Sequence, residues 1–333
     1  MDGDGTLLRV RDLRVEFVMP SGISRILNNL SLSFRRNAFL GLVGESGAGK
    51  TVFAYSLLGF VKAPGRIAGG EILYDGVDIL SQPENVLIEK YRGREMGLIA
   101  SNARAHLNPL LTVGKQLSTA YMVHHGAGRK QSRERALEML RLVKINDPLR
   151  RFDSYPHELS GGMAQRIMIA MALINNPKLI IADDCTSGLD VTVAAQVMDL
   201  FLNVIEGQGA SSILITHDLG IVAQYCSDVA IMYSGQIIET APVESFFREC
   251  RHPYSRILLD SLPENTKKSG LKRVSGAAAD TYILPEGCLY QARCPISRDI
   301  CRAQAPAMRR VGEGHEVKCH FAGSASQENV GCA

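Results

Sequence analysis

The sequence predicts an α/β protein in which a parallel β-sheet carries a phosphate-binding loop. Short apolar runs alternate with stretches of helical periodicity, which is typical of parallel strands joined by helices. One apolar run, Phe39–Val43, leads directly into the segment GESGAGKT. A second apolar run, Leu179–Asp183, ends in two adjacent acidic residues. We therefore expect the functional groups at the ends of these two strands.

The other elements follow in order along the chain. Apolar alternation predicts strands over residues 8–17 and around Leu30, Leu32 and Phe34. The remaining expectations are a helix over 52–60, a strand and hairpin turn over 72–76, a mainly helical insertion over 110–158, a helix over 191–206 and a strand over 212–216. Residues 264–280 are small and polar, which predicts a linker.

Composition limits the class of protein. The chain has 333 residues, 46% of them hydrophobic and 21% charged, which is typical of a globular protein. A net charge of +3 argues against a polybasic nucleic-acid-binding protein. With no apolar run near the ~18 residues of a membrane helix and no apparent signal peptide, we expect a cytosolic chain. Its eight cysteines are then not expected to form structural disulfides.

The segment GESGAGKT fits the phosphate-loop pattern G-x-x-x-x-G-K-[ST], here between a predicted strand and a predicted helix. Glycines let successive N–H groups face the phosphates of a nucleotide, and the helix N-terminus adds positive potential. Lys50 is expected to reach the β- and γ-phosphates, and Thr51 to bind Mg²⁺. The alternative is a glycine-rich turn without a ligand. The predicted ATP-binding residues here are Gly44, Glu45, Ser46, Gly47, Ala48, Gly49, Lys50 and Thr51.

Two further segments complete the predicted nucleotide chemistry. Asp183, at a strand end, is expected to hold Mg²⁺, and Asp184 to orient or deprotonate the attacking water. A second candidate anion site lies at the start of a predicted helix, at Ser160, Gly161 and Gly162. In a dimer, each chain could place this segment against the nucleotide bound by the other. The alternative for Asp183 and Asp184 is a pair of solvated acids, and the alternative for Ser160 to Gly162 is an ordinary helix cap.

With these motifs in this order, residues 7–262 resemble the ATP-binding subunits of ABC transporters. The resemblance implies a P-loop ABC ATPase fold with an antiparallel β subdomain, a RecA-like parallel core and a helical subdomain. It also implies that His217 contacts the γ-phosphate, that Phe17 stacks on adenine, and that residues 187–190 (SGLD) lie at the dimer seam. The alternative for Phe17 is packing in the core, and the alternative for His217 is a polar residue that only ends a strand.

Several strings resemble the D-type subunit of oligopeptide, dipeptide and nickel importers, among them LNPLLTVGKQL and HPYSRILLDSLP. The resemblance implies a nucleotide-binding domain over 1–263, with its helical subdomain at about 100–160, and a linker and Cys-rich extension over 264–333. It implies an F-type ATPase partner in a heterodimer, two permeases and an extracytoplasmic substrate-binding protein. The location implied is peripheral, on the cytoplasmic face of the inner membrane.

Two positions depart from the family pattern. Ser101 occupies the place of a glutamine that contacts Mg²⁺ and water, and Asp184 the place of the catalytic glutamate. Because a side chain shorter by about 1.5 Å displaces a general base, we expect slow hydrolysis at this chain's own site. The alternative is that Asp184 still serves. Other candidate functions are a regulatory pseudo-ATPase subunit and a non-transport ABC ATPase.

Four cysteines near the C-terminus have the spacing C-x5-C-x6-C-x17-C: Cys288, Cys294, Cys301 and Cys319. Grouped thiolates in a reducing compartment suggest metal ligands. The residues alone are compatible with zinc, an iron–sulfur cluster or free thiols. The resemblance to the oligopeptide subfamily extension favours a [4Fe–4S] cluster, with Zn²⁺ as the alternative.

Overall fold

The structure is a computed structural model that describes residues 5–262 and 279–322. Most of the predicted linker, 264–278, lies outside these residues. The described strands are β1 (Thr6–Met19), β2 (Gly22–Arg35), β3 (Phe39–Val43), β4 (Gly65–Tyr74), β5 (Val77–Asp78), β6 (Met96–Ile99), β7 (Leu179–Asp183), β8 (Ser211–Thr216), β9 (Asp228–Tyr233), β10 (Gln236–Pro242), β11 (Arg309–Gly312) and β12 (His315–Val317).

The described helices are also numbered in chain order. They are α1 (Lys50–Leu57), α2 (Glu84–Val86), α3 (Ala103–His106), α4 (Val113–His125), α5 (Arg129–Leu142), α6 (Pro148–Phe152), α7 (Gly161–Leu173), α8 (Val191–Gln208), α9 (Leu219–Tyr225), α10 (Val243–Glu249), α11 (Pro253–Asp260) and α12 (Asp299–Ala303). Short turns of other helix types cover Leu87–Tyr91, Pro156–Glu158 and Gln291–Arg293. In residues 5–262 and 279–322, no helix is long and apolar enough to cross a membrane.

The chain divides into two compact units. We call the first the helical unit; it is made chiefly of Arg35–Phe39 and Ile79–Ile215. The second, the sheet unit, contains Thr6–Phe34, Leu40–Asp78 and the described residues from Thr216 onward. The phosphate-loop motif and the cysteines of the C-terminal extension therefore belong to one unit, while the predicted acids Asp183 and Asp184 belong to the other.

In the sheet unit, strands β2, β1, β4 and β5 form an antiparallel sheet in that order. A second set of neighbouring strands runs β11, β12, β10, β9, β3. β3 and β9 are parallel, with Leu42 opposite Ala230, and the other pairs are antiparallel. The continuous apolar sequence of β3 suits a strand buried on both faces, and its residues from Leu40 to Val43 are buried. This strand delivers the chain into the phosphate loop.

The helical unit confirms the strands predicted over 179–183 and 212–216 and the helical insertion, and it adds β6, which was not predicted. β6 and β8 both pair in parallel with β7, where Ile181 lies opposite Leu98 on one side and Ile213 on the other. The insertion predicted over 110–158 contains α4, α5 and α6. The helix predicted over 52–60 differs from the observed α1, which begins at Lys50 and ends at Leu57. It begins earlier because the lysine and threonine of the loop already form its first turn.

The hairpin of β11 and β12 was not predicted from the sequence. It adds to the edge strand β10, with Glu239 opposite Val317 and Thr240 opposite Glu316. Only His315 and Val317 of the hairpin are buried, so its sequence lacks the apolar alternation of a strand with one buried face. Backbone pairing with β10 therefore defines these strands, and it anchors the end of the extension to the sheet unit.

A buried carboxylate joins this hairpin to the segment before α11. Glu239 is fully buried and accepts hydrogen bonds from the backbone N–H groups of Arg251 (2.5 Å) and His252 (3.0 Å). The Nε2 atom of His315 on β12 lies 2.7 Å from the same carboxylate. Donors from two chain segments thus share one acceptor on β10. Removing that acceptor would leave buried donors without partners.

We expect Glu239→Ala to lower the free energy of unfolding by about 3 kcal/mol, since buried polar groups that lose their partner are costly. Urea unfolding monitored by circular dichroism measures this loss. Glu249→Ala is the matched control, because Glu249 forms an exposed ion pair with Arg251 and its loss should cost less than about 1 kcal/mol. Equal costs for the two variants would contradict the role given to Glu239.

Candidate functional site

The phosphate loop joins β3 to α1 with an open helix N-terminus. The N-cap residue, Gly49, has φ 103°, a left-handed conformation that favours glycine, and no side chain caps the helix. The first N–H groups of α1 therefore have no side-chain partner at the cap, as an anion-binding helix terminus requires. Ser46, Gly47 and Thr51 are exposed around this terminus.

The backbone of the loop is fixed by the turn between β9 and β10. A Cβ atom on Gly44 would lie 2.2 Å from the carbonyl oxygen of Met232, so only glycine allows this close approach. The N–H of Gly235 donates to the carbonyl of Ala48 at 2.9 Å. The loop is therefore pre-shaped before a ligand arrives, which reduces the entropic cost of binding.

Lys50 lies across its own loop. Its ammonium donates to the carbonyl oxygens of Gly44 at 2.6 Å and Glu45 at 2.9 Å. A phosphate bound at the helix N-terminus would provide a charged acceptor in place of these neutral carbonyls, and charge-assisted hydrogen bonds are the stronger ones. The arrangement holds a cation next to the N-terminus of α1, which no side chain caps.

Other contacts to the loop come from residues that the sequence analysis did not single out. The N–H of Glu45 donates to the Tyr254 hydroxyl at 3.0 Å, and the Glu45 carboxylate pairs with Arg293 at 2.9 Å. Tyr254 belongs to the string HPYSRILLDSLP, whose resemblance was noted without a role. The sequence gives no signal for these contacts beyond the Arg–Cys–Pro run that includes Arg293.

The predicted acids lie at the end of β7 in the helical unit. Asp183 is 7% exposed at the last position of the strand. Asp184 follows with φ 48°, a left-handed conformation that aspartate tolerates better than most residues, and its N–H donates to the carbonyl of Ile215 at 2.8 Å. Since Ile99 of β6 lies opposite Ala182, Ser101 follows its strand at the same edge of the sheet.

Cys185, which follows these acids, is not a candidate nucleophile. It is buried, and its Sγ lies 3.8 Å from the Sδ of Met198. Burial, with the adjacent Asp184 as a smaller cause, raises the pKa of the Cys185 thiol to about 12. The thiol stays protonated at physiological pH and serves as a packing residue.

The Ser160–Gly162 segment begins α7, a helix of 13 residues. The Ser160 hydroxyl accepts a hydrogen bond from the N–H of Met163 at 3.3 Å, so the ordinary cap expected as an alternative is present. Ser160 and Gly161 are both exposed. The cap occupies one N–H of the first turn, and the exposed glycine leaves the rest of this terminus open to solvent.

Two acids near the other predicted motifs also act as helix caps. Asp190 caps α8 by accepting from the N–H of Val193 at 3.0 Å. Asp218 caps α9 by accepting from the N–H of Gly220 at 2.7 Å. Between Thr216 and this cap, His217 is exposed at the end of β8. These caps fix the backbone on either side of candidate nucleotide contacts.

Phe17 lies half-buried on β1, opposite Gly65 of β4. A Cβ atom on Gly65 would come within 2.9 Å of the Phe17 ring, so the phenylalanine packs over this glycine. A Cβ atom on Gly49 of the phosphate loop would instead meet Leu27 and Ile26 of β2 and Met232 of β9. The core-packing alternative for Phe17 is therefore consistent with its contacts.

The four predicted metal-ligand cysteines line one small cavity of the sheet unit: Cys288, Cys294, Cys301 and Cys319. The N–H of Cys288 donates to the carbonyl of Cys301 at 2.8 Å. Burial raises the pKa of Cys294 to about 12, and it raises the pKa values of Cys288 and Cys319. Among the residues that the structure describes, however, no three such side chains have metal-ligand spacing.

Comparison with known proteins places these features in a family. The family model for ABC transporters matches residues 27–187, and that for the oligopeptide/dipeptide transporter C-terminal region matches residues 238–301. The dipeptide transport ATP-binding protein DppD of Escherichia coli K12 is 40% identical over 318 residues, which cover 95% of this chain and 96% of that protein. This chain belongs to the ABC transporter family of ATP-binding proteins. As a member, it is an ATP hydrolase with a transport-coupled role.

Further relatives of this ABC ATPase support the assignment. The oligopeptide transport ATP-binding protein OppD of Salmonella typhimurium LT2 is 40% identical over 314 residues, covering 94% of this chain and 93% of that protein. The ATP-binding cassette MJ0796, solved as a dimer in a post-hydrolysis state with ADP and Pi, is similar with a TM-score of 0.64 and 26% identity. The alignment covers 71% of this chain and 98% of MJ0796. The predicted fold class is thereby confirmed.

Proposed function

We propose that this chain is the ATP-binding subunit of an importer for peptides or related small solutes. The observation that carries the proposal is the 40% identity to DppD across 95% of the chain. The match to the transporter C-terminal region at residues 238–301 also supports it. In this proposal the chain binds two membrane permeases from the cytoplasmic face and pairs with a homologous F-type ATPase subunit. An extracytoplasmic binding protein delivers the solute.

The proposed nucleotide contacts follow the sequence motifs. Lys50 binds the β- and γ-phosphates, and Thr51 and Asp183 hold Mg²⁺. The open N-terminus of α1 and the Lys50 ammonium beside it support these roles. His217 contacts the γ-phosphate, and Phe17 is the candidate for the adenine contact.

The two ATP sites of the heterodimer are proposed to be unequal. Asp184 and Ser101 place shorter side chains at this chain's own hydrolytic positions, so this site binds ATP and hydrolyses it slowly. Ser160, Gly161 and Gly162 complete the partner's site, where hydrolysis is fast. The support is the exposed N-terminus of α7, accessible to an anion from another chain.

For the cysteine cavity we propose a metal centre, with a [4Fe–4S] cluster favoured over Zn²⁺. Four buried or half-buried thiols line one cavity, and thiolates are the donors that both iron–sulfur clusters and zinc prefer. Cys288, Cys294, Cys301 and Cys319 would hold the centre after their side chains move from the described positions, which lack metal-ligand spacing. A metal centre would bind the thiols as thiolates. A bound metal ion favours loss of the thiol protons strongly enough to overcome the raised pKa values.

Solute uptake tests the transport proposal. In cells lacking this chain, uptake of a radiolabelled dipeptide should be lost and should return with the wild-type chain. Radiolabelled nickel, measured in the same cells, should be unaffected. Loss of nickel uptake with normal dipeptide uptake would contradict the proposed substrate class.

Iron analysis and visible absorption of anaerobically purified protein test the metal proposal. Iron with thiolate-to-iron charge-transfer absorption is expected, and Cys294→Ser should remove both. Cys226→Ser is the matched control, since Cys226 packs against the core beside α9 rather than in the cavity. Zinc without iron, or no metal at all, would contradict the cluster.

A further inference from the structure

Arg293 connects the Cys-rich extension to the phosphate loop. It ends the turn Gln291–Arg293, directly before Cys294, and its side chain is only 7% exposed. Its two terminal nitrogens donate to the two carboxylate oxygens of Glu45, at 2.9 Å and 3.0 Å. Parallel hydrogen bonds of this kind between a guanidinium and a carboxylate fix orientation as well as distance. The pair joins residues 248 positions apart in the sequence.

Glu45 is also held through its backbone. Its N–H donates to the hydroxyl of Tyr254 at 3.0 Å. Tyr254 is fully buried near the start of α11, where its own N–H donates to the Nδ1 atom of His252 at 3.1 Å. Side chain and backbone of one loop residue are therefore restrained by two different segments of the sheet unit.

Restraint on Glu45 acts on the rest of the loop. Its carbonyl accepts from the Lys50 ammonium at 2.9 Å and from the N–H of Ala48 at 3.1 Å. Glu45 therefore helps set where the lysine lies and how the loop curves toward the helix N-terminus. A shift of the loop by a fraction of an ångström would misplace several phosphate-binding groups at once.

The same contacts lead to the cysteine cavity. Tyr290 and Cys294 line the cavity and flank the turn that carries Arg293. The Tyr290 ring contacts the rings of Tyr254 and Tyr233, with centroids 5.4 Å and 5.1 Å apart. Packed aromatic rings and an ion pair whose arginine is buried form a continuous connection from the thiols to the loop.

We propose that Arg293 is a positioning residue for ATP binding, and that through it the Cys-rich extension and the nucleotide influence each other. Arg293 holds Glu45, Glu45 orders the loop, and the loop binds the phosphates. Because coupling between two sites is reciprocal, ATP binding should in turn stabilise the segment around Arg293. The proposal concerns ATP binding, a property of the family, and is independent of which solute is imported.

ATP affinity of the full-length chain, measured with a fluorescent ATP analogue, tests the first half of the proposal. Arg293→Gln and Glu45→Gln should each weaken binding about tenfold at a temperature below their unfolding transitions, and the double variant should be no weaker than either. Arg293→Lys keeps the charge and should recover part of the affinity. Arg298→Gln is the matched control, since Arg298 is exposed in the same extension and stacks on Phe321.

Hydrogen exchange of residues 288–294 tests reciprocity. The nucleotide should slow exchange there in the wild-type chain and leave it unchanged in Arg293→Gln. The proposal is overturned if both single variants bind ATP within about twofold of wild type. It is also overturned if their effects add independently, or if the nucleotide leaves exchange of residues 288–294 unchanged in the wild-type chain.

Discussion

Replacing Gly161 with aspartate is expected to lower ATP hydrolysis by the assembled complex at least about 100-fold, because it places a negative charge where a phosphate must bind. The residue is exposed at the N-terminus of α7, beside the Ser160 cap. In the proposed heterodimer this terminus closes over the ATP of the partner subunit. Steady-state release of phosphate from the purified complex measures the effect.

The substitution is well suited to this test because the fold accepts it. A Cβ atom on Gly161 would meet only the Cδ2 of Leu189, at an ordinary 3.6 Å. A carboxylate in the first turn of a helix is, if anything, favourable to the helix. Gly128→Asp makes the same change at the N-cap of α5, where a Cβ atom would have open space. Equal activity of the two variants would contradict the role of α7.

The second large effect is expected from Lys50→Ala. Loss of a charge-assisted phosphate contact should weaken ATP binding by the purified chain about 100-fold. Dipeptide uptake by cells carrying the variant should also fall, since the proposed closure requires ATP in both sites. Lys62→Ala is the control, because Lys62 is an exposed lysine whose ammonium lies over the Phe60 ring, away from the loop.

This variant also separates the main proposal from its rival. If the chain were a regulatory pseudo-ATPase subunit whose own nucleotide is not needed, uptake would survive Lys50→Ala. Normal uptake together with lost ATP binding would therefore favour the rival, which the substitutions at Ser101 and Asp184 first suggested.

The elements that the sequence predicted best are those with strong local signals. β3 and β7 match their predicted bounds because uninterrupted apolar runs mark strands buried on both faces. The phosphate loop follows β3 as expected, since its glycines and lysine have fixed spacing. The start of α1 was wrong by two residues because the loop's own lysine and threonine form the first helical turn.

Two strands that were not predicted, β6 and β9, are nevertheless local apolar runs. Further features that were not predicted depend on contacts between distant residues. The hairpin of β11 and β12 is defined by pairing with β10 and lacks apolar alternation. The Arg293–Glu45 pair spans 248 positions, and nothing local to either residue indicates the other. The same holds for the Tyr254 hydroxyl that receives the Glu45 N–H. Such contacts require the folded chain, because sequence periodicity reports only on neighbouring residues.

ATP hydrolysis by the purified complex carrying Asp184→Asn tests most directly whether the two ATP sites are unequal. Asparagine keeps the size of the side chain at this left-handed position and removes its capacity to act as a base. If the two sites are unequal, the rate of ATP hydrolysis should stay within about twofold of wild type, since general-base catalysis at this site contributes little to the activity of the complex. A fall of about 100-fold would show that Asp184 is the working base and would contradict the proposed inequality of the two sites.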